Sequence, residues 1–318
     1  MAGYVAGRLA LVLLVLVAVS MLVFAITSIL PGNVAYLILG QFAPPDQVRA
    51  LELKLGLDDP LWLQYARWAA RMAAGDFGES MLMSRPVAPL VAEAIQRSLV
   101  LAGVSFAFIA VIGLALGVVA ALRHNRPLDH AVSVGTYLGI AVPEFFWAIV
   151  VILVFASTLG WLPSSGYEPL SAGLGTWAIH LVAPVLTLVF GHLAHVSRLT
   201  RSSMIEVLQS PYVTAARAKG LPERRVVLRH ALRNALLPAI TVLALDVGRL
   251  MGGIVVIETV FAYPGLGRLI VFSIQSRDIP TLQAAILVVA AVYALANLAA
   301  DLLYAFLNPK IRYGRSIA

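Results

Sequence analysis

Ionisable side chains set inside apolar stretches are the first residues of this sequence with the means to do chemistry. Asp246 and Arg249 lie three apart in the run Leu236 to Ile257, and Glu144 follows Pro143 in the run Ser133 to Ser157. Such a group costs about 2.5–3.5 kcal/mol on insertion scales unless it is paired or wetted. Residues three apart share a helix face, so Asp246 and Arg249 have two readings. They form an internal ion pair that fixes helix packing, or they face a cavity and touch the charged ends of a solute. Glu144 either lines that cavity or is carried toward water by a kink at the proline. Asp301, near the end of a later run, reads as structural. His192 and His195, spaced i, i+3, can turn two imidazoles the same way toward a metal. With no carboxylate or third histidine near them in sequence, packing is the commoner use of such a pair, and no metal site is assigned.

Catalytic signatures are missing. Neither H-E-x-x-H nor G-x-S-x-G occurs, and there is no G-x-x-x-x-G-K-[ST] loop to hold a nucleotide. The sequence contains no cysteine, which removes disulfides and thiolate metal sites. The chain is therefore read as a non-enzyme without a catalytic site or cofactor of its own.

The elements that must position these groups follow from composition. Of 318 residues, 60% are hydrophobic and only 12% charged, too few polar residues to cover a soluble core. Lipid must cover it instead, and about twenty helical residues cross a hydrocarbon core of roughly 30 Å. Six runs meet that length: Leu9 to Leu30, Ser98 to Leu122, Ser133 to Ser157, Trp177 to Val196, Leu236 to Ile257 and Leu282 to Leu307. They predict an all-α polytopic membrane protein of about six transmembrane helices. The first run is longer than a signal-peptide core and lacks a small-residue cleavage site, so it reads as a retained span. The net charge of +7 falls between the runs, as the positive-inside rule requires. No basic stripe with interleaved aromatics points to nucleic acid. With the N-terminus inside, the inner segments hold Arg123, Arg126, a cluster from Arg198 to Arg233, and Lys310, Arg312 and Arg315. Both termini are then cytoplasmic.

Two connections are too long to be turns. The outer one, Pro31 to Arg97, contains Asp59-Pro60, which reads as an N-cap and first helical residue. After it, Leu61, Tyr65, Trp68 and Met72 share one helical face and Gln64, Arg67 and Arg71 another. An amphipathic helix at the outer membrane surface and a small cap packed on the spans both fit. In the inner one, Arg198 to Ala235, Ser210-Pro211 reads as an N-cap with a first-turn proline. Gly220 supplies a left-handed stop and Pro222 blocks continuation. The spacing predicts a helix of two to three turns followed by a second helix, Glu223 to Leu236. Small side chains at Ala215, Ala216 and Ala218 permit close approach of another protein, and Arg217 and Lys219 add charge complementarity. A solvated linker helix is the bland alternative.

The stretch Tyr212-Val-Thr-Ala-Ala-Arg-Ala-Lys-Gly-Leu221, continuing to Arg229-His-Ala-Leu-Arg-Asn-Ala-Leu-Leu-Pro238, resembles the coupling loop of binding-protein-dependent ABC importer permeases. It is most similar to the B-type subunit of dipeptide and oligopeptide systems. Further segments match in the same order: Leu55 to Pro60, Gly75-Asp-Phe-Gly78, Pro143 to Trp147, Trp161 to Gly166, Glu258 to Phe261, Pro264-Gly-Leu-Gly267, Asp301 to Tyr304 and Asn308 to Gly314. The resemblance implies a type I ABC importer permease fold with a long extracytoplasmic segment after the first helix. It also implies a coupling helix formed by Tyr212, Thr214, Ala215, Ala216, Arg217, Ala218, Lys219, Gly220 and Leu221, docked on an ATPase. Thr214 stands where the family has an acidic residue. The implied partners are a second homologous permease, two cytosolic ATPase domains that bind ATP and magnesium, an extracytoplasmic substrate-binding protein, and membrane lipid. Glu144, Asp246 and Arg249 become candidate pathway residues, and Pro264, Gly265 and Gly267 a candidate outer gate, with an ordinary tight turn as the alternative. The implied cargo is a di- or oligopeptide, with nickel, glutathione or haem as alternatives in the same subfamily. The organisation expected is residues 1–97 as first span plus outer segment, 98–307 as permease core with the inner loop 198–235, and 308–318 as a cytoplasmic tail.

Overall fold

Prolines and glycines decide where this nearly all-helical chain bends. The computed structural model describes residues 2–29, 36, 39, 40 and 42–307. The sequence motif beginning at Asn308 and the tail to 318 lie outside the described residues, as does the start of the outer connection. Helix α1 (Ala2–Ile29) is followed by α2 (Pro45–Leu55), α3 (Leu61–Ala73), α4 (Val87–Leu122), α5 (Pro127–Ala141) and α6 (Glu144–Val151). A wide π-turn segment, Ile152–Thr158, continues α6. Then come α7 (Leu174–Leu208), α8 (Pro211–Ala218), the single turn α9 (Glu223–Arg225), a second π segment (Val226–Ala231), α10 (Leu232–Val260), α11 (Leu266–Ser276) and α12 (Ile279–Leu307).

Among the described residues, five helices are long and apolar enough to cross a membrane, or six if the bent pair α5–α6 is one span. That pair corrects one expectation. The run Ser133 to Ser157 is not one continuous helix; it turns by 108° between Ala141 and Glu144. Pro143 has no N–H to continue the ladder, and it pushes the residue before it out of the helical region. Val142 stands at φ −100°, ψ 128°. Pro184 and Pro238 sit inside α7 and α10 without ending them, because neighbouring helices in a membrane bundle re-satisfy the freed groups. The other spans lie inside longer helices: α4 begins at Val87, before Ser98, and α7 runs on past Val196 to Leu208.

The contacts divide the chain into two units, one built mainly from Ser98–Pro264 and the other from Ala6–Arg97 with Gly265–Ala294. In the first, α7 packs on α5, α6 and α10, burying Leu101, Ile109, Leu188, Leu250, Ile257 and Phe261. A polar tie crosses that unit as well: Ser98 donates to Glu258, a fully buried carboxylate, at 2.5 Å. In the second unit, Val87, Val91 and Ala94 pack with Leu266, Ala284 and Ala285. There α3 lies on α1 and α12. Trp68 Nε1 donates to Gln283 Oε1 at 2.8 Å, and Gln283 Nε2 donates to Thr27 Oγ1 at 2.7 Å. Phe24, Tyr65 and Trp68 stack together. Of the two readings of the outer helix, the structure therefore has the packed one. Its start is also corrected: the helix begins at Leu61, and Asp59 binds Arg67 at 2.5 Å instead of capping.

Candidate functional site

Two regions of the first unit gather the residues singled out from sequence. One is the short helix α8. Ser210 precedes Pro211, and Gly220 follows at φ +75°, the left-handed geometry that favours glycine. Ser210 Oγ donates to Val207 O at 2.6 Å and makes no side-chain cap, so the capping part of the expectation is corrected while the helix stands. Its two faces are sharply divided. Val213 and Ala216 are buried with Met204, Val226, Val227, Ala231 and Ala235, and Leu221 packs at the edge. Tyr212, Thr214, Ala215, Arg217, Ala218, Lys219 and Gly220 are exposed.

Ala216 thus serves the chain's own core and not a partner, while Ala215 and Ala218 form the small-residue surface. Arg217 is engaged internally: Nη2 and Nε donate to Glu223 at 2.6 and 3.1 Å, across the turn at Gly220. The guanidinium holds the Glu223 carboxyl below the usual carboxylate range. Tyr212 closes the other end, its hydroxyl accepting from Asn234 Nδ2 at 2.8 Å. Lys219 is an exposed cation at the tip.

A tie that the sequence reading missed fixes the approach to this helix. Asp129, fully buried at the start of α5, accepts from Arg201 Nε at 2.5 Å and Nη2 at 2.7 Å, and from the Asn125 N–H at 2.9 Å. The bidentate geometry is the strongest form of such a pair. Seventy-two residues separate the two, so only a pairing of α5 with α7 could have revealed it.

The second region is the polar junction of α6, α7 and α10. The bend at Pro143 puts Glu144 at the start of α6, with its side chain between Gly191 of α7 and Gly253 of α10. A Cβ at Gly253 would fall on the carboxylate, 2.9 Å from Cδ, and one at Gly191 would meet Cγ at 3.0 Å. Glu144 Oε1 stands 3.1 Å from His192 Nε2, yet that nitrogen has no aligned hydrogen-bond partner. Asp246 is buried and its Oδ1 lies 3.4 Å from Arg249 Nη1, whose side chain is largely exposed; Asp246 Oδ2 has no hydrogen bond. His192 and His195 both act electrostatically on Asp246. The structure therefore sets Glu144 against α10, the helix that carries Asp246 and Arg249, and places His192 beside it, a proximity with no local signal. Among the described residues, no three His, Cys, Asp or Glu side chains converge to hold a metal ion.

At the exit of α10, Tyr263 is fully buried and meets Tyr167 edge to face at 5.3 Å, and Gly166 N–H donates to Phe261 O at 2.9 Å. Pro264 is half-buried, while Gly265 and Gly267 are buried, Gly265 standing just before α11.

Comparison with known proteins gives consistent matches. The family model described as binding-protein-dependent transport system inner membrane component matches residues 113–313, and the model of that family's N-terminal segment matches residues 1–103. The chain is 41% identical over 313 residues to the glutathione transport system permease protein GsiC of Escherichia coli (strain K12), covering 98% of this chain and 100% of the relative. It is 36% identical over 333 residues to the dipeptide transport system permease protein DppB of Alkalihalophilus pseudofirmus, with coverage of 98% and 100%. Its fold matches a chain in inward-facing structures of the MetNI methionine ABC transporter at a TM-score of 0.56 and 20% identity. That match covers 69% of this chain and 96% of the other.

Proposed function

The chain belongs to the family of binding-protein-dependent transport system inner membrane components, and on that premise we propose that it is the permease subunit of an ATP-driven importer of di- or oligopeptides. The importer sits in the cytoplasmic membrane of a prokaryote, with both termini of this subunit cytoplasmic. One observation carries the mechanical part of the reading: α8 is a short, sharply ended helix with one face exposed and the other keyed into the bundle.

Val213 and Ala216 lock into Met204 of α7 and Ala235 of α10. A partner that displaces α8 therefore moves two long helices with it, because close-packed side chains transmit displacement. The exposed face of Tyr212, Thr214, Ala215, Ala218 and Lys219 receives the ATPase. Two ATPase domains hold ATP and magnesium, and this subunit contributes no catalytic group. A second homologous permease completes the pathway, and an extracytoplasmic protein delivers the peptide. Rigid-body rotation of helices alternates access. Glu144, Asp246 and Arg249 border the pathway, and the Pro264–Gly267 turn works as the outer gate.

A glutathione cargo is the second reading, favoured by the 41% identity to a glutathione permease; glutathione is itself a tripeptide. The test is ATP-dependent uptake into proteoliposomes holding the complete transporter, with labelled dipeptide and glutathione as alternative cargoes. Uptake of either supports an importer and chooses between the readings. Uptake of neither, by an assembled and ATP-hydrolysing complex, overturns both.

A further inference from the structure

We propose that Glu144 receives the ammonium group of the peptide's amino terminus within the membrane, on the side of the carboxylate turned away from His192. The proposal rests on the peptide reading above and assigns the chemistry of one subsite.

The seat of Glu144 is built. A bend places the carboxylate between two helices, and each supplies a glycine: a Cβ at Gly253 would overlap the carboxylate, and one at Gly191 would press on Cγ at 3.0 Å. The side chain is 28% exposed, whereas His192 behind it is 5% exposed. One side of the carboxylate is therefore open to an incoming group, and the imidazole closes the other. At 3.1 Å the pair is near contact, but His192 Nε2 is not aligned as a hydrogen bond. A buried polar atom left in this state is an exception to the usual pairing of buried polar groups. The carboxylate has a close neighbour that does not tie it down.

Charge bookkeeping gives the same direction. The groups facing this junction are Glu144 on α6, His192, His195 and Arg198 on α7, and Asp246 and Arg249 on α10. Arg198 is exposed, toward the end of α7. Arg249, the permanent cation of the junction, lies on Asp246, so an ammonium arriving at Glu144 meets a carboxylate with no permanent cation of its own. The class of ligand is a primary ammonium on a peptide backbone; an N-acylated peptide cannot take this place.

The experiment uses the complete transporter in proteoliposomes with its binding protein saturated, and compares one dipeptide with its N-acetylated form. Because the binding protein is the same throughout, a change in the free-to-acetylated uptake ratio between permease variants reports on the permease. Glu144→Gln is expected to lower that ratio about tenfold, the scale of a lost charge-assisted hydrogen bond, with acetylated uptake retained. An unchanged ratio, or equal loss of both uptakes in an assembled complex, overturns the proposal. Gly253→Ala supplies an independent arm, which decides should Glu144→Gln fail to assemble. A Cβ there takes the space of the Glu144 carboxylate, so the same ratio is expected to fall, and an unchanged ratio in that variant overturns the proposal. If wild-type transporter imports neither peptide, the reading of function fails instead and takes this subsite with it.

Discussion

Gly220 and Gly253 are glycines for opposite reasons, and the contrast separates the two regions of the site. At Gly220 the backbone stands at φ +75° and nothing lies within 4 Å of where a Cβ would go. Its requirement is conformational, and it is written in its immediate neighbours: Pro211 ahead, Pro222 behind. At Gly253 the backbone is helical, and the space for a Cβ is filled by the Glu144 carboxylate. That requirement is steric and is set by a residue 109 positions away. The form of α8 is thus encoded locally, and that of the polar junction by meetings of distant residues. Substitutions at long-range meetings should cost more than substitutions at local signals, and the predictions below run in that order.

The largest effect is expected from Asp129→Ala. It leaves Arg201 half-buried with its bidentate partner removed, a loss of about 3 kcal/mol for a broken buried pair. The midpoint of thermal unfolding of the detergent-solubilised complex should fall by several degrees. An unshifted midpoint would mean that the approach to α8 does not depend on this tie, and the contrast would lose its strongest long-range example.

Gly253→Val comes next. Overpacking costs about 1–3 kcal/mol, and here the displaced atoms belong to Glu144. Peptide uptake should collapse, whereas the exposed face of α8 should keep its binding to the ATPase in co-purification. If uptake were retained, Glu144 would be free to leave its slot without consequence.

These two sites also mark the limit of what the sequence discloses. Span number, helical class and the bounds of α8 follow from apolar run length, proline and glycine, all short-range signals. The break at Pro143 was half legible. A proline in an apolar run reads as a kink, but Pro184 and Pro238 carry the same mark and interrupt nothing. What decides between them is packing against other helices. His192 illustrates the same limit: its spacing to His195 drew attention to a metal, while its actual neighbour is Glu144, 48 residues earlier. Asp129 and Arg201 gave no local signal at all. The small residues of α8 were legible as a set but not as two faces. Ala216 turns inward because Val213, three residues earlier, marks the buried side.

Gly220→Ala is expected to cost about 1 kcal/mol, the penalty of a left-handed residue bearing a Cβ. No clash adds to it. Gly220→Pro is more severe for function than for stability, since a proline ring holds φ near −65° and removes the N–H that donates to Arg217 O at 2.9 Å. The variant should insert in the membrane normally and lose substrate-stimulated ATP hydrolysis. Normal stimulation would show that the end of α8 does not need its left-handed turn.

The smallest effect belongs to the Arg217–Glu223 pair, which is local and half-exposed. Glu223→Gln should cost no more than about 0.5 kcal/mol, as exposed ion pairs do. Its pH dependence has a definite sign. The folded-state pKa of Glu223 is lowered, chiefly by the hydrogen bond from Arg217. The pair's contribution is therefore fully present above the ordinary carboxylate pKa and is lost as pH falls through the lowered value. Amide exchange in residues 211–218, corrected for its intrinsic pH dependence, should accelerate slightly at acid pH in the wild type and show no such step in Glu223→Gln. A large step in the wild type would mean that the clamp governs α8, and the local region would then rival the long-range one in what a single contact decides.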